Sequence, residues 1–402
     1  MNILFLSIAR FNDINDSGIY TDLMRKFKEE GHAVFVASPT ERKFRENTTL
    51  LSNDGVSLLK IKTLNIQKTN FIEKGLATIT IEYQFLKQIK RHYNNIKFDL
   101  ILYSTPPITF AKVIKYIKQR DQAQAYLLLK DIFPQNAVDL GMLKKGGLLH
   151  RYFKRREKQL YELSDHIGCM SSANVKFLLA HHPELNPKNV EVNPNSISPR
   201  PMFLAETEKS KLRQAFNIPL TATVFIYGGN LGKPQGIHFL IKVLIANIDR
   251  SDAFFLIVGD GTEFRLLQEQ IKVYSFTNVL LLKGLPKDQY DELVMVSDVG
   301  LIFLHPCFTI PNYPSRLLSY MEAKMPILAA TDKNTDIGDI MVSNGFGLWC
   351  ESGDLDCFNL NLEVLIKNKE KVKEMGLNGY NYLINNYQVG TSYALIMDKL
   401  HV

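Results

Sequence analysis

Two doubly wound α/β domains are predicted, on three observations. The chain of 402 residues is about twice the length of an ordinary domain. Short β-rich apolar runs alternate with helical patterns along nearly all of it, which is how parallel sheets with helical crossovers read. Near the middle that rhythm stops once, in a stretch rich in proline.

The runs of the first half are Ile3–Ser7, Ala33–Ala37, Val56–Ile61, Leu100–Tyr103, Tyr126–Leu129, Ile167–Met170 and Val190–Val192. Helical periodicity fills gaps between them at Gly18–Glu30, Ile72–Tyr93 and Leu148–Leu163. The interruption is VNPNSISPRPMFLAE, Val192–Glu206, with Pro194, Pro199 and Pro201. It sets residues 1–198 as the first domain and 199–379 as the second, with a last helix over 380–402 returning to the first. Second-half strands follow at Val224–Tyr227, Phe254–Val258, Val279–Leu282, Gly300–Leu304, Ile327–Ala330 and Gly347–Trp349. A ligand cleft between the domains, at the carboxyl ends of the strands, is the expectation for such sheets.

Composition narrows the class. Hydrophobic residues make up 46% and charged residues 22%, and no segment reaches the roughly 18 uninterrupted apolar residues of a membrane span. A soluble or peripheral protein is expected. The opening MNILFLSIARFND lacks a basic n-region and a small-residue cleavage site, so it reads as a buried strand rather than a signal peptide. Cys169, Cys307, Cys350 and Cys357 form no CxxC pair, which indicates neither a disulfide framework nor a zinc site and fits a reducing cytoplasm. Metal-binding spacings such as HExxH are absent.

Charge divides unevenly: residues 1–200 carry a net +11 and residues 201–402 a net −4. The basic half lacks a nucleic-acid-binding motif, so nucleic acid is not the expected partner. An anionic membrane surface fits better, with ordinary solvated helix faces as the alternative. Lys112, Lys115 and Lys118 recur on one candidate helix; Arg151, Lys154, Arg155, Arg156 and Lys158 crowd another. Like charges at these spacings repel, which costs helix stability unless an anion offsets it.

Three loops of the second half carry the chemistry. YGGNLGKPQGI, Tyr227–Ile237, leaves a strand and opens a helix; Gly228, Gly229, Gly232 and Gly236 allow close backbone approach, and Lys233 adds a charge. It reads either as a phosphate loop or as a glycine-rich turn. VGDGTEF, Val258–Phe264, repeats the geometry with a turn at Gly259, Asp260 and Gly261. In PNYPSRLLSYMEAKMPILAATDKNTDIG, Pro314 and Ser315 stand at a helix start with Arg316 in the first turn. A cation there opposes the helix dipole by a few tenths of a kcal/mol, and an anionic ligand would correct the mismatch.

These loops, in this order, resemble the donor-binding half of the retaining nucleotide-sugar glycosyltransferases of family 4, which have the GT-B fold of two facing Rossmann-like domains. The resemblance extends to LLLKDIFPQNAVDLGML (Leu127–Leu143), VNPNSIS (Val192–Ser198) and GFGLWCESGD (Gly345–Asp354). Within the family it is strongest to the branch that makes O-antigen and capsule sugars, with GNxGxxQG, DxxP and PSR/KLL motifs. Two departures stand out. The positions of the family's first-loop Arg and Lys hold Asn230 and Gln235, leaving Lys233 and Arg316 as substitutes; the positions of its two glutamates hold Pro311 and Ser319. Glu322, on one helix face with Ser315 and Ser319, is a candidate ribose-binding carboxylate, or else a solvated or helix-pairing acid.

In the first half, the loop Arg10–Tyr20 faces acceptor and donor phosphates in such proteins. It offers Asp16 and Gly18, although a helix N-cap also explains Asp16 and Ser17. Asp131 follows a strand where a cleft residue belongs, or else pairs with Lys130. The resemblance implies transfer of a sugar with retention, Asp131, Arg316 and Lys233 being the catalytic candidates. The implied donor is a UDP-linked N-acetylated hexosamine or deoxyhexosamine. The implied acceptor is a polyprenyl-diphosphate-linked saccharide at the inner face of the cytoplasmic membrane, with no cofactor and no metal. A GT-B sugar-nucleotide 2-epimerase and a non-catalytic GT-B binding subunit share the architecture and are the alternatives.

Overall fold

The structure, a computed structural model, describes residues 1–66 and 71–400. It divides into two compact units, Met1–Ser198 with Gln388–Val402, and Pro199–Tyr387. No helix among the described residues is long and apolar enough to cross a membrane.

The first unit is built on eight strands: β1 (Asn2–Leu6), β2 (Ala33–Glu41), β3 (Thr49–Asn53), β4 (Val56–Thr63), β5 (Leu100–Ser104), β6 (Gln124–Leu129), β7 (His166–Cys169) and β8 (Val190–Val192). They lie in the order β3-β4-β2-β1-β5-β6-β7-β8. All neighbours are parallel except β3 and β4, a hairpin turned at Asp54 and Gly55, both at positive φ. β3 is absent from the predicted strands because it is an exposed edge whose residues form no buried apolar run. The inner strands are buried on both faces, so Leu4, Phe5, Ile101, Leu102, Leu127 and Leu128 all lie in the core. Strand order reverses between β1 and β5, which puts their carboxyl ends at the switch point where such sheets take ligands, with the end of β6 next to it.

The second unit holds β9 (Thr223–Asn230), β10 (Ala253–Asp260), β11 (Val279–Leu282), β12 (Val299–Phe303), β13 (Ile327–Thr331) and β14 (Gly347–Glu351), all parallel, in the order β11-β10-β9-β12-β13-β14. Here the order reverses between β9 and β12, the two strands that lead into the first and third loops singled out above.

The segment 380–402 is not one returning helix. The helix Lys369–Asn386 stays with the second unit, where the Tyr387 hydroxyl meets that of Tyr313. Val389–Leu400 then packs on the first unit: Val389 N–H donates to the Ile197 carbonyl at 3.0 Å, Ser392 Oγ to Asn193 Oδ1 at 2.6 Å, and Ile396 and Met397 enter the core around β1. The break falls at Tyr387 because the residues on its two sides bury their apolar faces in different cores. The last two residues of the segment lie outside the described ones.

Candidate functional site

At the carboxyl edge of the second unit, β9 and β10 run on side by side as far as Asn230 and Asp260, with Gly229 opposite Gly259. A Cβ at Gly259 would lie 1.9 Å from the Gly229 carbonyl oxygen, and one at Gly261 would lie 2.3 Å from that of Leu231. Close strand packing therefore requires both glycines. Asp260 accepts the Gly261 N–H at 2.9 Å through Oδ1, and its carbonyl accepts the Leu231 N–H at 3.0 Å, which locks the two loops together. Gly229 has φ 118, open to glycine, and its backbone is exposed at the strand end. Gly232 is buried against the Asn230 side chain. Tyr227 hydroxyl to Asn230 carbonyl at 2.7 Å and His305 N–H to Pro234 carbonyl at 2.9 Å hold the rest of the loop down.

Arg316, first residue of the helix Arg316–Glu322, reaches over this floor. Its guanidinium carbon lies 4.4 Å over the Tyr227 ring, Nη2 donates to Gln235 Oε1, and a Cβ at Gly229 would sit 3.6 Å from Nη2. Nη1 is buried with no hydrogen-bond partner among the described residues. A buried guanidinium N–H group left unpaired is a donor that an anion would satisfy.

Two further tyrosines support this arrangement, and the motifs did not point to them. Tyr320, one turn beyond Arg316, accepts the Gly228 N–H at 3.2 Å and donates to the Ile226 carbonyl at 3.1 Å. The Tyr290 hydroxyl fills the space beside Gly228, where a Cβ would come within 1.9 Å of it. Burial pushes the Tyr290 phenol up to about 12 against the pull of Arg316, so it stays neutral. The i, i+4 spacing of Arg316 and Tyr320 was available as a signal; nothing local marks Tyr290.

The other candidates of this helix have different fates. Ser315 is exposed at the N-cap without a side-chain capping bond, and Ser319 is half-buried. Glu322 corrects the expectation of a ribose-binding carboxylate: it is buried and Oε1 accepts the Arg200 N–H at 2.7 Å, which ties down the chain entering the unit. Lys233 is exposed at the head of the turn Lys233–Gln235. Burial, and then the Lys233 charge, hold the nearby His305 imidazole below its ordinary value.

In the first unit Asp131 follows β6, half-buried, and Asn136 Nδ2 donates to both its carboxylate oxygens at 2.8 Å. Burial pushes its carboxyl up to about 6, with the Asn136 bond holding it back. Lys130 makes a separate bond, Nζ to the Asn193 carbonyl at 3.0 Å, and burial brings its ammonium down to about 7. Thr105 Oγ1 joins the β5 and β6 ends through the Asp131 carbonyl at 3.0 Å.

The cap expected from Asp16 and Ser17 is not formed. Gly18 is the N-cap of the helix Ile19–Glu29, with φ 175, a conformation open to any residue. Asp16 is exposed and closes a local turn, its Oδ2 accepting the Asp13 N–H at 3.3 Å. The loop is pinned by Arg25, which donates to the Asp16 carbonyl at 2.9 Å and pairs with buried Asp22. Asp22 in turn accepts the Ser198 N–H at 2.9 Å.

Residues 208–382 match the family described as Glycosyl transferases group 1. The probable glycosyltransferase WbjE of Pseudomonas aeruginosa is 24% identical over 289 residues, 71% of this chain and 70% of that one. Among solved structures, Anabaena Alr3699/HepE in complex with UDP and glucose superposes with a TM-score of 0.72 at 16% identity, over 100% of this chain and 99% of that one. WaaG, a glycosyltransferase involved in lipopolysaccharide biosynthesis, does so with a TM-score of 0.68 at 13% identity, over 98% and 99%. The chain has the GT-B fold of two Rossmann-like α/β domains, and with the group 1 match lying inside its second unit these findings support a GT-B glycosyltransferase.

Proposed function

We propose that the protein is a retaining glycosyltransferase of family 4 that moves a sugar from a nucleoside diphosphate to a lipid-linked saccharide during surface polysaccharide synthesis. The observation that carries the reading is Arg316 seated over the Tyr227 ring and beside Gly229 at the switch point of the second unit, its buried Nη1 without a hydrogen-bond partner among the described residues. Departure of the diphosphate is the demanding step, and preorganised donors aimed at its growing charge lower the barrier. Arg316 and the loop N–H groups take the diphosphate oxygens, and Lys233 adds positive charge at the rim. As the bond from the anomeric carbon to the phosphate oxygen breaks, that oxygen keeps the electron pair. The acceptor hydroxyl bonds the same carbon on the same face and passes its proton to the departing phosphate. Asp131, ionised above about pH 6, accepts a hydrogen bond from a sugar hydroxyl. Charge neutralisation by these cations makes the reaction metal-independent in this reading.

UDP as the nucleotide is supported by the UDP complex of HepE. A role in surface polysaccharide synthesis is in keeping with the lipopolysaccharide biosynthesis in which WaaG is involved, while the lipid-linked acceptor at the inner face of the cytoplasmic membrane rests on the branch resemblance. An N-acetylated hexosamine or deoxyhexosamine as the sugar rests on the branch resemblance. The test is incubation with UDP-, GDP- and dTDP-sugars, with and without a polyprenyl-diphosphate-linked saccharide, following nucleotide release and the anomeric configuration of the product. Retained configuration and acceptor-dependent release of UDP are expected. A donor sugar epimerised without consuming acceptor would make the protein an epimerase; neither reaction with any donor would make it a binding subunit. Asp131→Asn should lower turnover more than donor affinity, and an equal loss of both would move Asp131 into donor binding or folding.

A further inference from the structure

From Leu140 to Arg156 the sequence has six Lys or Arg and no Asp or Glu. The fold sorts these cations into two sets. Toward the interior, Lys154 pairs with buried Glu157 at 2.7 Å, and Arg156 lies 3.8 Å from buried Glu82 and over the Tyr152 ring. The repulsion expected within this cluster is thus offset partly by the chain's own carboxylates, as it is where Lys158 meets Glu162 and Glu184 and Lys118 meets Asp165. On the outer side Lys144, Lys145, Arg151 and Arg155 are exposed, and none makes an ion pair among the described residues.

Among these outer cations stand three large apolar side chains. Leu148 is 85% exposed, Leu149 55% and Met142 54%. Leu148 opens the helix Leu148–Leu163, and Arg151 and Arg155 follow it on the same face at i+3 and i+7. Single exposed apolar residues are ordinary, but two adjacent exposed leucines at a helix tip, with an exposed methionine in the loop before it, are not. Buried Glu82 joins this helix to its neighbours, pairing with Arg156 and accepting the Lys112 N–H at 2.6 Å, so the tip stands on a rigid base.

We propose that Met142–Arg155 is a membrane-insertion surface: Leu148, Leu149 and Met142 enter the headgroup and acyl boundary of an anionic bilayer while the four outer cations meet lipid phosphates. Charge chooses this occupant. A second copy docked about a two-fold axis would set the same cations against one another, and nucleic acid has no use for the leucines. Each outer cation adds attraction within a Debye length, and the apolar tip adds a part that salt does not screen. The surface deepens the proposed function by presenting the first unit to a lipid-linked acceptor, and it rests on that reading only for its purpose.

The test is sedimentation of the full chain with phosphatidylglycerol-containing vesicles and with phosphatidylcholine vesicles, across a range of salt. Binding is expected on the anionic vesicles, falling with salt to a residual fraction. Leu148→Gln/Leu149→Gln should abolish the residual fraction and weaken binding about tenfold or more, with transfer to a water-soluble acceptor unchanged. Arg151→Glu/Arg155→Glu should remove the salt-sensitive part by a similar factor. Leu148→Trp should be quenched by brominated acyl chains. Equal binding to phosphatidylcholine, indifference to the leucine variant, or self-association that the leucine variant abolishes would each overturn the proposal. Vesicle binding of this pattern in a protein that transfers no sugar from any donor would support the surface while removing the proposed function.

Discussion

At Arg316 a local rule and the tertiary environment pull in opposite directions. A cation at the first position of a helix meets the positive end of the dipole, yet here it gains the Tyr227 face and Gln235 and keeps Nη1 unspent. Arg316→Ala should therefore weaken nucleoside diphosphate binding by about 1.5–3 kcal/mol, the scale of a charge-assisted hydrogen bond, without loss of fold. Unchanged affinity in titration calorimetry would remove the residue from the site. Lys130 gives a test of burial alone. Its ammonium titrates near 7 in the folded chain against an ordinary 10.5. Across that window the unfolded chain holds a proton that the folded chain lacks, so stability rises with pH from about 7 to about 10.5. Lys130→Met should flatten this rise in urea unfolding midpoints; parallel curves for the two proteins would assign the slope to another group.

The elements carry function through how closely their ends approach. The carboxyl ends of β9 and β10 lie together only because Gly259 and Gly261 have no side chain, and this contact presents the Gly229 backbone beneath Arg316. Gly259→Ala should force the strands apart, costing about 1–3 kcal/mol as overpacking does and lowering diphosphate affinity in step. Wild-type stability in thermal unfolding would show that the ends part freely and that the contact is not what shapes the site. The helix Leu148–Leu163 differs: Lys154, Arg156 and Lys158 meet carboxylates while Arg151 and Arg155 make no ion pair among the described residues, so its basic character toward solvent is smaller than the sequence count implies.

On the scale of the whole molecule, the chain crosses between its units twice, near Ser198 and near Gln388. The last helix, Val389–Leu400, thereby belongs to the first unit's core, where Ile396 is fully buried and the Tyr393 hydroxyl meets His32 Nε2 at 2.9 Å. Ile396→Ala should cost about 2–5 kcal/mol, the range for a buried aliphatic truncation. Hydrogen exchange should locate the loss in β1 and the helix Ile19–Glu29 and leave β9 to β13 protected. Loss of protection spread evenly over both units would mean that they unfold as one.

What the sequence by itself determined is whatever short-range pattern encodes: the alternation of strands and helices, the proline-marked boundary near Ser198, and three second-half loops in the order that the family resemblance requires. Apolar runs and glycine-rich turns are local, so they survive being read one window at a time. An exposed edge such as β3 leaves no such run, even though Asp54-Gly55 spells its turn. Only the tertiary structure decided which polar groups remain unspent, because a side chain's partner is set by residues distant in sequence. Glu322 was taken by the backbone of Arg200, 122 residues away, while Arg316 was seated between Tyr227 and Gln235, more than eighty residues away, with one guanidinium nitrogen left without a partner among the described residues.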